Sequence, residues 1–161
     1  MKYLIKQKFF SWFDSFDVTD ESGRIIYTVK GRLDWGHNLH FFDAYGNDIA
    51  SVREKVLTWL PKFELTIGGQ NAGWIRREFS WFHPRYQIDL NGWQVEGNFL
   101  EWDYQVTGPL NQPIATISKD LWHWTDHYVI DVPDDRNALP VLMLVVAIDA
   151  EKCTRAAASN A

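Results

Sequence analysis

One cysteine, Cys153, is too few for a disulfide within the chain. Nor does the start of the sequence carry the apolar core of an export signal, because Tyr3-Leu4-Ile5 is broken at once by Lys6 and Lys8. Both absences point to a soluble protein of a reducing cytoplasm. Positive charge is also short, with 16 basic against 21 acidic residues and a formal net charge of −5. Nucleic-acid binding draws most of its affinity from basic contacts to phosphate, so a nucleic-acid partner is not expected. The same balance disfavours indiscriminate adhesion to anionic membranes, while leaving room for a local basic patch. No P-loop, G-x-G-x-x-G, G-x-S-x-G, H-E-x-x-H or C-x-x-C stands in the sequence. No cofactor or metal is therefore implied, and an enzyme is not the expected reading, although spatial triads leave no linear trace.

Aromatic residues, in contrast, are abundant: nine Trp, ten Phe and six Tyr in 161 residues. Aromatic side chains favour pleated, half-buried surfaces, which leans towards β structure; a stacking surface for sugars or bases would give the same count. Alternating segments recur at short spacing. Phe16 and Val18 precede a turn at residues 20–23, Ile25, Tyr27 and Val29 follow it, and residues 39–43 and 49–52 flank a turn at Ala44-Tyr45-Gly46-Asn47. Phe63, Leu65 and Ile67 end at Gly68-Gly69, and residues 74–79 and 86–90 lead to Asn91-Gly92. Residues 93–95, 104–106, 114–117 and 128–132 continue the pattern, and residues 3–9 open it. The sum is about twelve short strands, a number that suits a sandwich or barrel.

A shift of 65 positions sets Ile49-Ala50-Ser51-Val52 on Ile114-Ala115-Thr116-Ile117, and Phe63, Leu65 and Ile67 on Tyr128, Ile130 and Val132. A shift of 66 sets Tyr27, Val29 and Gly31 on Trp93, Val95 and Gly97. Slipping by one residue would turn every side chain to the other face, so a kept apolar phase predicts a kept topology. The chain thus reads as a single domain of two related halves, about 1–68 and 73–132; chance likeness among alternating strands is the rival account.

After residue 132 the pattern breaks. Asp134 and Asp135 supply capping groups, Pro140 suits a first helical turn, and residues 141–148 carry no polar side chain. A helix over about 138–151 that is apolar all round must be buried on every side. At roughly 20 Å it is too short for a bilayer core of ~30 Å, so no transmembrane segment is expected.

Two six-strand halves and an apolar helix resemble the tubby-like closed barrel, in which about twelve antiparallel strands surround a buried C-terminal helix. Residues 3–10, Val95-Glu96-Gly97-Asn98-Phe99 and Val145-Val146-Ala147-Ile148-Asp149-Ala150 are similar to the LURP-one-related branch, and most of all to its bacterial, YxjI-type members. The resemblance implies the fold. It implies little about activity: related tubby domains bind phosphoinositides and related scramblases act at membranes, but no lipid- or calcium-binding motif of theirs matches here.

Four cations gather around one predicted hairpin, Lys62, Arg76, Arg77 and Arg85, interleaved with Trp74, Trp81 and Phe82. Arginine beside exposed aromatics can grip an anionic or lipid headgroup. The plainer reading is a solvated strand pair whose arginines meet Glu64 and Glu78 across the sheet. His123, Asp126 and His127 invite a metal reading; on a strand the histidines stand about 13 Å apart, on a helix they form an i, i+4 pair that could bind zinc with a third ligand, and Trp122 and Trp124 favour packing instead. Asp149 ends the apolar run, either as a functional acid, as a carboxylate with a structural partner, or where the chain leaves the core. Cys153 has no neighbour that marks an activated thiolate.

The function expected is a non-enzymatic binding module for an anionic lipid headgroup or a protein partner. The alternative is a small enzyme whose carboxylates or histidines are gathered by folding. A lipocalin-like carrier is a third reading, against which the apolar helix speaks, since it would fill the barrel.

Overall fold

The computed structural model describes residues 1–6, 15–32, 34–79, 81, 85–98, 103–119 and 127–159, with 155–158 as backbone alone. Twelve strands precede one helix: β1 Lys2–Lys6, β2 Ser15–Asp20, β3 Ile25–Gly31, β4 Asn38–Phe42, β5 Asp48–Lys55, β6 Lys62–Ile67, β7 Gln70–Glu78, β8 Arg85–Asp89, β9 Gln94–Asn98, β10 Asp103–Thr107, β11 Pro113–Lys119 and β12 His127–Asp131. They form one sheet in the order β8-β7-β6-β5-β4-β3-β2-β1-β12-β11-β10-β9, and every adjacent pair is antiparallel. The sheet curls into a nearly closed barrel in which consecutive strands neighbour one another, and β1 against β12 joins the start of the ladder to its end. One seam stays open. β8 and β9 follow each other in the chain and form no ladder, although Asn91-Gly92 between them has the positive φ values (54° and 68°) of a tight turn.

Alternation builds the wall. Phe63 and Leu65 on β6, Ala50 and Val52 on β5, and Ile130 on β12 point inwards and are buried, while Lys62, Glu64 and Arg53 lie on the outer face. Where the wall needs closeness it uses glycine. A Cβ at Gly73, whose φ is +150°, would lie 1.8 Å from the carbonyl oxygen of Asp89, so only glycine lets the end of β8 approach β7.

The barrel is filled by helix α1, Ala138–Ser159, which runs beyond the expected residue 151. A 3-10 turn, Asp135–Asn137, leads into it, capped by the Asp134 carboxylate accepting from the Arg136 N–H. Residues 141–148 are each no more than 1% exposed. Burying the seven large apolar side chains among them contributes about 10–20 kcal/mol gross, an upper bound before chain entropy is subtracted.

Strand direction gives the barrel two unlike ends. Odd-numbered strands run towards one end and even-numbered strands away from it. At the end where α1 begins, connections are short: residues 21–24, 43–47, 68–69, 90–93 and 108–112. Asp20 and Asp43 tighten two of these turns by accepting from the N–H groups of residues 22 and 24, and of residues 45 and 47. The opposite end, where α1 leaves, carries the longer connections at 32–37, 56–61 and 79–84.

Candidate binding face

The longer connections hold exposed apolar side chains. Trp35 is 86% exposed, Leu57 98%, Trp59 97% and Trp81 83%, with Val56 and Phe79 beside them. At the other end Met1, Ile25, Tyr45 and Leu110 are exposed, each on a separate turn or strand end. Two of the tryptophan-bearing connections meet at Gly36 and Val56. A Cβ at Gly36 would lie 2.5 Å from Val56 Cγ1, and Thr58 Oγ1 is 2.8 and 2.6 Å from the carbonyl oxygens of Lys55 and Leu60. Phe79 and Trp81 meet edge to face, centroids 5.1 Å apart. Several water-exposed indoles at one end are what an interface-seeking surface presents.

Cations lie directly beside them. Lys55, Lys62, Arg76 and Gln87 are successive cross-strand partners over β5, β6, β7 and β8, which puts three positive side chains in a row. Like charges opposite one another on a sheet repel. Lys55 is offset by Glu64 at 3.0 Å, and Arg76 donates from Nη2 to Gln87 Oε1 at 2.6 Å. Lys62 Nζ sits 4.9 Å from the Trp74 ring centroid, and the Arg76 guanidinium 5.6 Å from the same ring. Next to the row, Trp35, Arg53, Leu57 and Lys62 line a groove of about 440 Å³.

The pleat divides the four expected cations. Lys62 and Arg76 come together around Trp74, and Arg85 lies outside on β8 opposite Glu78. Arg77 faces the other way, into the barrel, where its Nη1 donates to Glu151 Oε1 at 3.5 Å. Trp81 belongs to the exposed end, and Phe82 lies outside the described residues.

Beneath the tryptophans, polar groups surround the exit of α1. Glu151, 1% exposed, accepts from the Tyr86 hydroxyl at 2.7 Å as well as from Arg77. Glu54 occupies the last inward position of β5 and accepts from the His37 backbone N–H at 3.0 Å. His37 Nε2 lies 2.9 Å from Thr154 Oγ1 and 3.5 Å from Glu54 Oε2. Burial pushes the His37 imidazole down to about 3 and the Glu54 carboxyl upwards, the latter helped by the nearby Glu151 charge. Histidine, carboxylate and hydroxyl suggest a relay, yet the geometry is not that of one. Thr154 and Glu54 approach the same imidazole nitrogen, whereas a relay needs the base between them. Thr154 Oγ1 also donates to the Ala150 carbonyl at 3.2 Å, inside its own helix. The cluster ties the helix exit to the β3–β4 loop and β5.

His123 and Asp126 lie outside the described residues, and His127 opens β12. Among the described residues no three His, Cys, Asp or Glu side chains are placed to hold a metal ion. Asp149 is pushed up to about 7 by burial, with Lys152 pulling the other way; Cys153 is pushed up to about 11, chiefly by burial, which keeps its thiol protonated. His37, Glu54 and Glu151 were not singled out from sequence. The signal was present for Glu54, which continues the inward phase of Ala50 and Val52.

No helix of the described residues is long and apolar enough to cross a membrane. The chain is 25% identical over 150 residues to an uncharacterized protein of Bacillus subtilis (strain 168) named YxjI, covering 92% of both sequences. A protein of Arabidopsis thaliana with an X-ray structure shares the fold at a TM-score of 0.62 and 16% identity, over 92% of this chain and 90% of that one. Residues 1–149 match the LURP-one-related family, and the chain belongs to it.

Proposed function

We propose that this barrel is a non-enzymatic binding module that docks its α1-exit end onto an anionic surface, with a lipid interface as the first candidate. The observation that carries this reading is the pairing of exposed Trp35, Trp59 and Trp81 with the row Lys55, Lys62 and Arg76. Indoles suit the headgroup layer, and each cation held near an anionic leaflet contributes about 1 kcal/mol. The net charge of −5 accords with a local site rather than a generally adhesive protein. A lone, unactivated thiol accords with a reducing compartment, so the surface sought is a cytoplasmic one.

Co-sedimentation with anionic and neutral vesicles tests the proposal. Anionic vesicles should retain the protein at low salt, and the Lys62→Ala, Arg76→Ala pair should weaken retention about thirtyfold, the effect of two surface cations. Trp59→Ala should weaken it in anionic and neutral vesicles alike. Retention that ignores all three substitutions would remove the proposed face; a protein that binds no vesicle would leave a protein surface as the anionic partner.

A further inference from the structure

Among the three longer connections at the α1-exit end, the one between β5 and β6 differs in kind. Residues 32–37 include Arg32, Asp34 and His37, and residues 79–84 include His83, whereas Val56-Leu57-Thr58-Trp59-Leu60-Pro61 has no ionisable side chain. Leu57 and Trp59 are 98% and 97% exposed, so neither contributes to the core and nearly all their apolar surface stays in water. Polar groups of the loop are turned inwards instead. Thr58, between the two, shares its hydroxyl proton between the carbonyl oxygens of Lys55 and Leu60, at 2.8 and 2.6 Å. The Pro61 carbonyl accepts from the Arg77 N–H at 3.3 Å, and proline has no N–H of its own to satisfy.

Cations stand at the feet of this loop. Lys55 precedes it and Lys62 follows it, paired across β5 and β6, and Arg76 continues the row. Glu64 offsets Lys55 at 3.0 Å, and Asp34 offsets nearby Arg53 at 2.8 Å. Lys62 and Arg76 rest on the Trp74 ring and on Gln87 instead, so no ion pair among the described residues compensates their charge. A cationic collar behind an uncharged apolar tip matches the layers of an anionic leaflet met from the water: phosphates first, then esters, then chains. We infer that residues 56–61 are an insertion loop for an anionic phospholipid bilayer, an inference that rests on the anionic-surface reading. Leu57 and Trp59 pass below the phosphates, and Lys62 and Arg76 stay level with them. Charge complementarity selects the leaflet. Shape favours it over a folded protein, because a convex tip enters a fluid surface without needing a matching pocket. The main chain sets the depth. A loop, unlike a helix, cannot satisfy all its N–H and C=O groups internally, so its side chains alone enter the hydrocarbon, about 5–10 Å into the boundary of headgroups and chains.

A depth measurement tests this. With Cys153→Ala as background, a nitrobenzoxadiazole dye is attached at Leu57→Cys or, at the opposite end of the barrel, at Tyr45→Cys. Each is mixed with vesicles of phosphatidylserine and phosphatidylcholine in equal parts, with enough lipid to bind all the protein. The dye at 57 should shift to the blue, and a nitroxide near the top of the acyl chains should quench it more than one near their ends. The dye at 45 should do neither. Co-sedimentation with the same vesicles adds the energetics. Leu57→Ser should weaken retention about tenfold at low and physiological salt alike, because the lost contact is apolar. The loss from Lys62→Ala, Arg76→Ala should instead shrink as salt rises. Thermal unfolding should not move in Leu57→Ser, since the side chain is 98% exposed. Retention that needs the two cations, with the dye at 57 still in water and Leu57→Ser binding like wild type, would overturn insertion and leave the anionic-surface reading standing. Retention on no vesicle would overturn both. A dye at 57 that shifts without lipid as protein concentration rises would overturn insertion in favour of contact between copies.

Discussion

The two parts of helix α1 face opposite demands. Residues 141–148 are buried in the hydrophobic core cluster, and their contribution is the barrel's core. Residues 149–154 bring Asp149, Glu151, Lys152 and Thr154 to the end where the connections lengthen and the tryptophans stand in solvent. In the first part burial is complete and no side chain needs a polar partner. In the second, each buried polar group must be matched by another, so Tyr86, Arg77, Glu54 and His37 are drawn inwards from the wall. The contrast separates a stretch that secures the fold from one that fixes the geometry of an exposed face.

Leu144→Asp should produce the largest effect. It leaves an unpaired carboxylate at a position 0% exposed, for a loss of at least 3–5 kcal/mol on top of about 2–5 kcal/mol for the lost side chain. That is comparable to the whole stability of a domain, about 5–15 kcal/mol, so no cooperative unfolding transition should be seen by circular dichroism. A soluble Leu144→Asp variant with a sharp melt would end the contrast, since the apolar stretch would then not be the core.

Tyr86→Phe should come next. It takes one donor from the buried Glu151 and adds no bulk, so chemical denaturation should show a loss of about 1–3 kcal/mol. An unchanged midpoint would mean that water replaces the hydroxyl and that the exit of the helix is wetter than its burial indicates.

The strand count and the central helix could be read from the chain because both follow from periodicity: alternation in Phe63, Leu65 and Ile67, and unbroken apolarity in 141–148. The open seam could not. Asn91-Gly92 is strong hairpin chemistry and its turn does close, Trp93 N–H donating to the Leu90 carbonyl at 2.9 Å, yet no ladder grows from it. The cation quartet was half legible. Adjacent arginines on a strand must face opposite ways, so Arg76 and Arg77 could not share a surface. What the chain alone could not show is that Arg77's inward neighbour would be Glu151, 74 residues away.

Two buried groups at the exit should leave opposite marks on the pH dependence of stability. His37, held down at about 3, takes up a proton in the unfolded chain near 6.5 but not in the native one, so stability is lost as pH falls from 6.5 towards 3. Asp149, held up at about 7, keeps its proton in the native state while the unfolded chain releases it near 3.8. Stability is therefore lost as pH rises through that window, and Glu54, also raised, acts in the same sense. Over about pH 4–6.5 the slopes oppose one another. Asp149→Asn should expose the histidine slope and raise the melting temperature at pH 8 more than at pH 5. His37→Asn should expose the carboxyl slope. Parallel curves for wild type and Asp149→Asn would show that the carboxylate is solvated at its partly open side.

Arg76→Gln should produce the smallest change in stability, and its value lies in that smallness. Arg76 is exposed, its hydrogen bond to Gln87 is a surface one, and its repulsion with Lys62 across the ladder works against the fold. These contributions nearly cancel, so thermal or chemical unfolding should move by less than about 0.5 kcal/mol in either direction. Adding salt should shrink even that difference, because an exposed row of like charge is screened within about 10 Å at 0.1 M. If retention on anionic vesicles falls about fivefold in the same variant, the loss belongs to the surface and not to the fold. A stability change well above 1 kcal/mol would instead make Arg76 part of the wall's structure. The row of cations would then be held by the sheet for its own sake, and the division of labour along α1 would have no counterpart on the outer face.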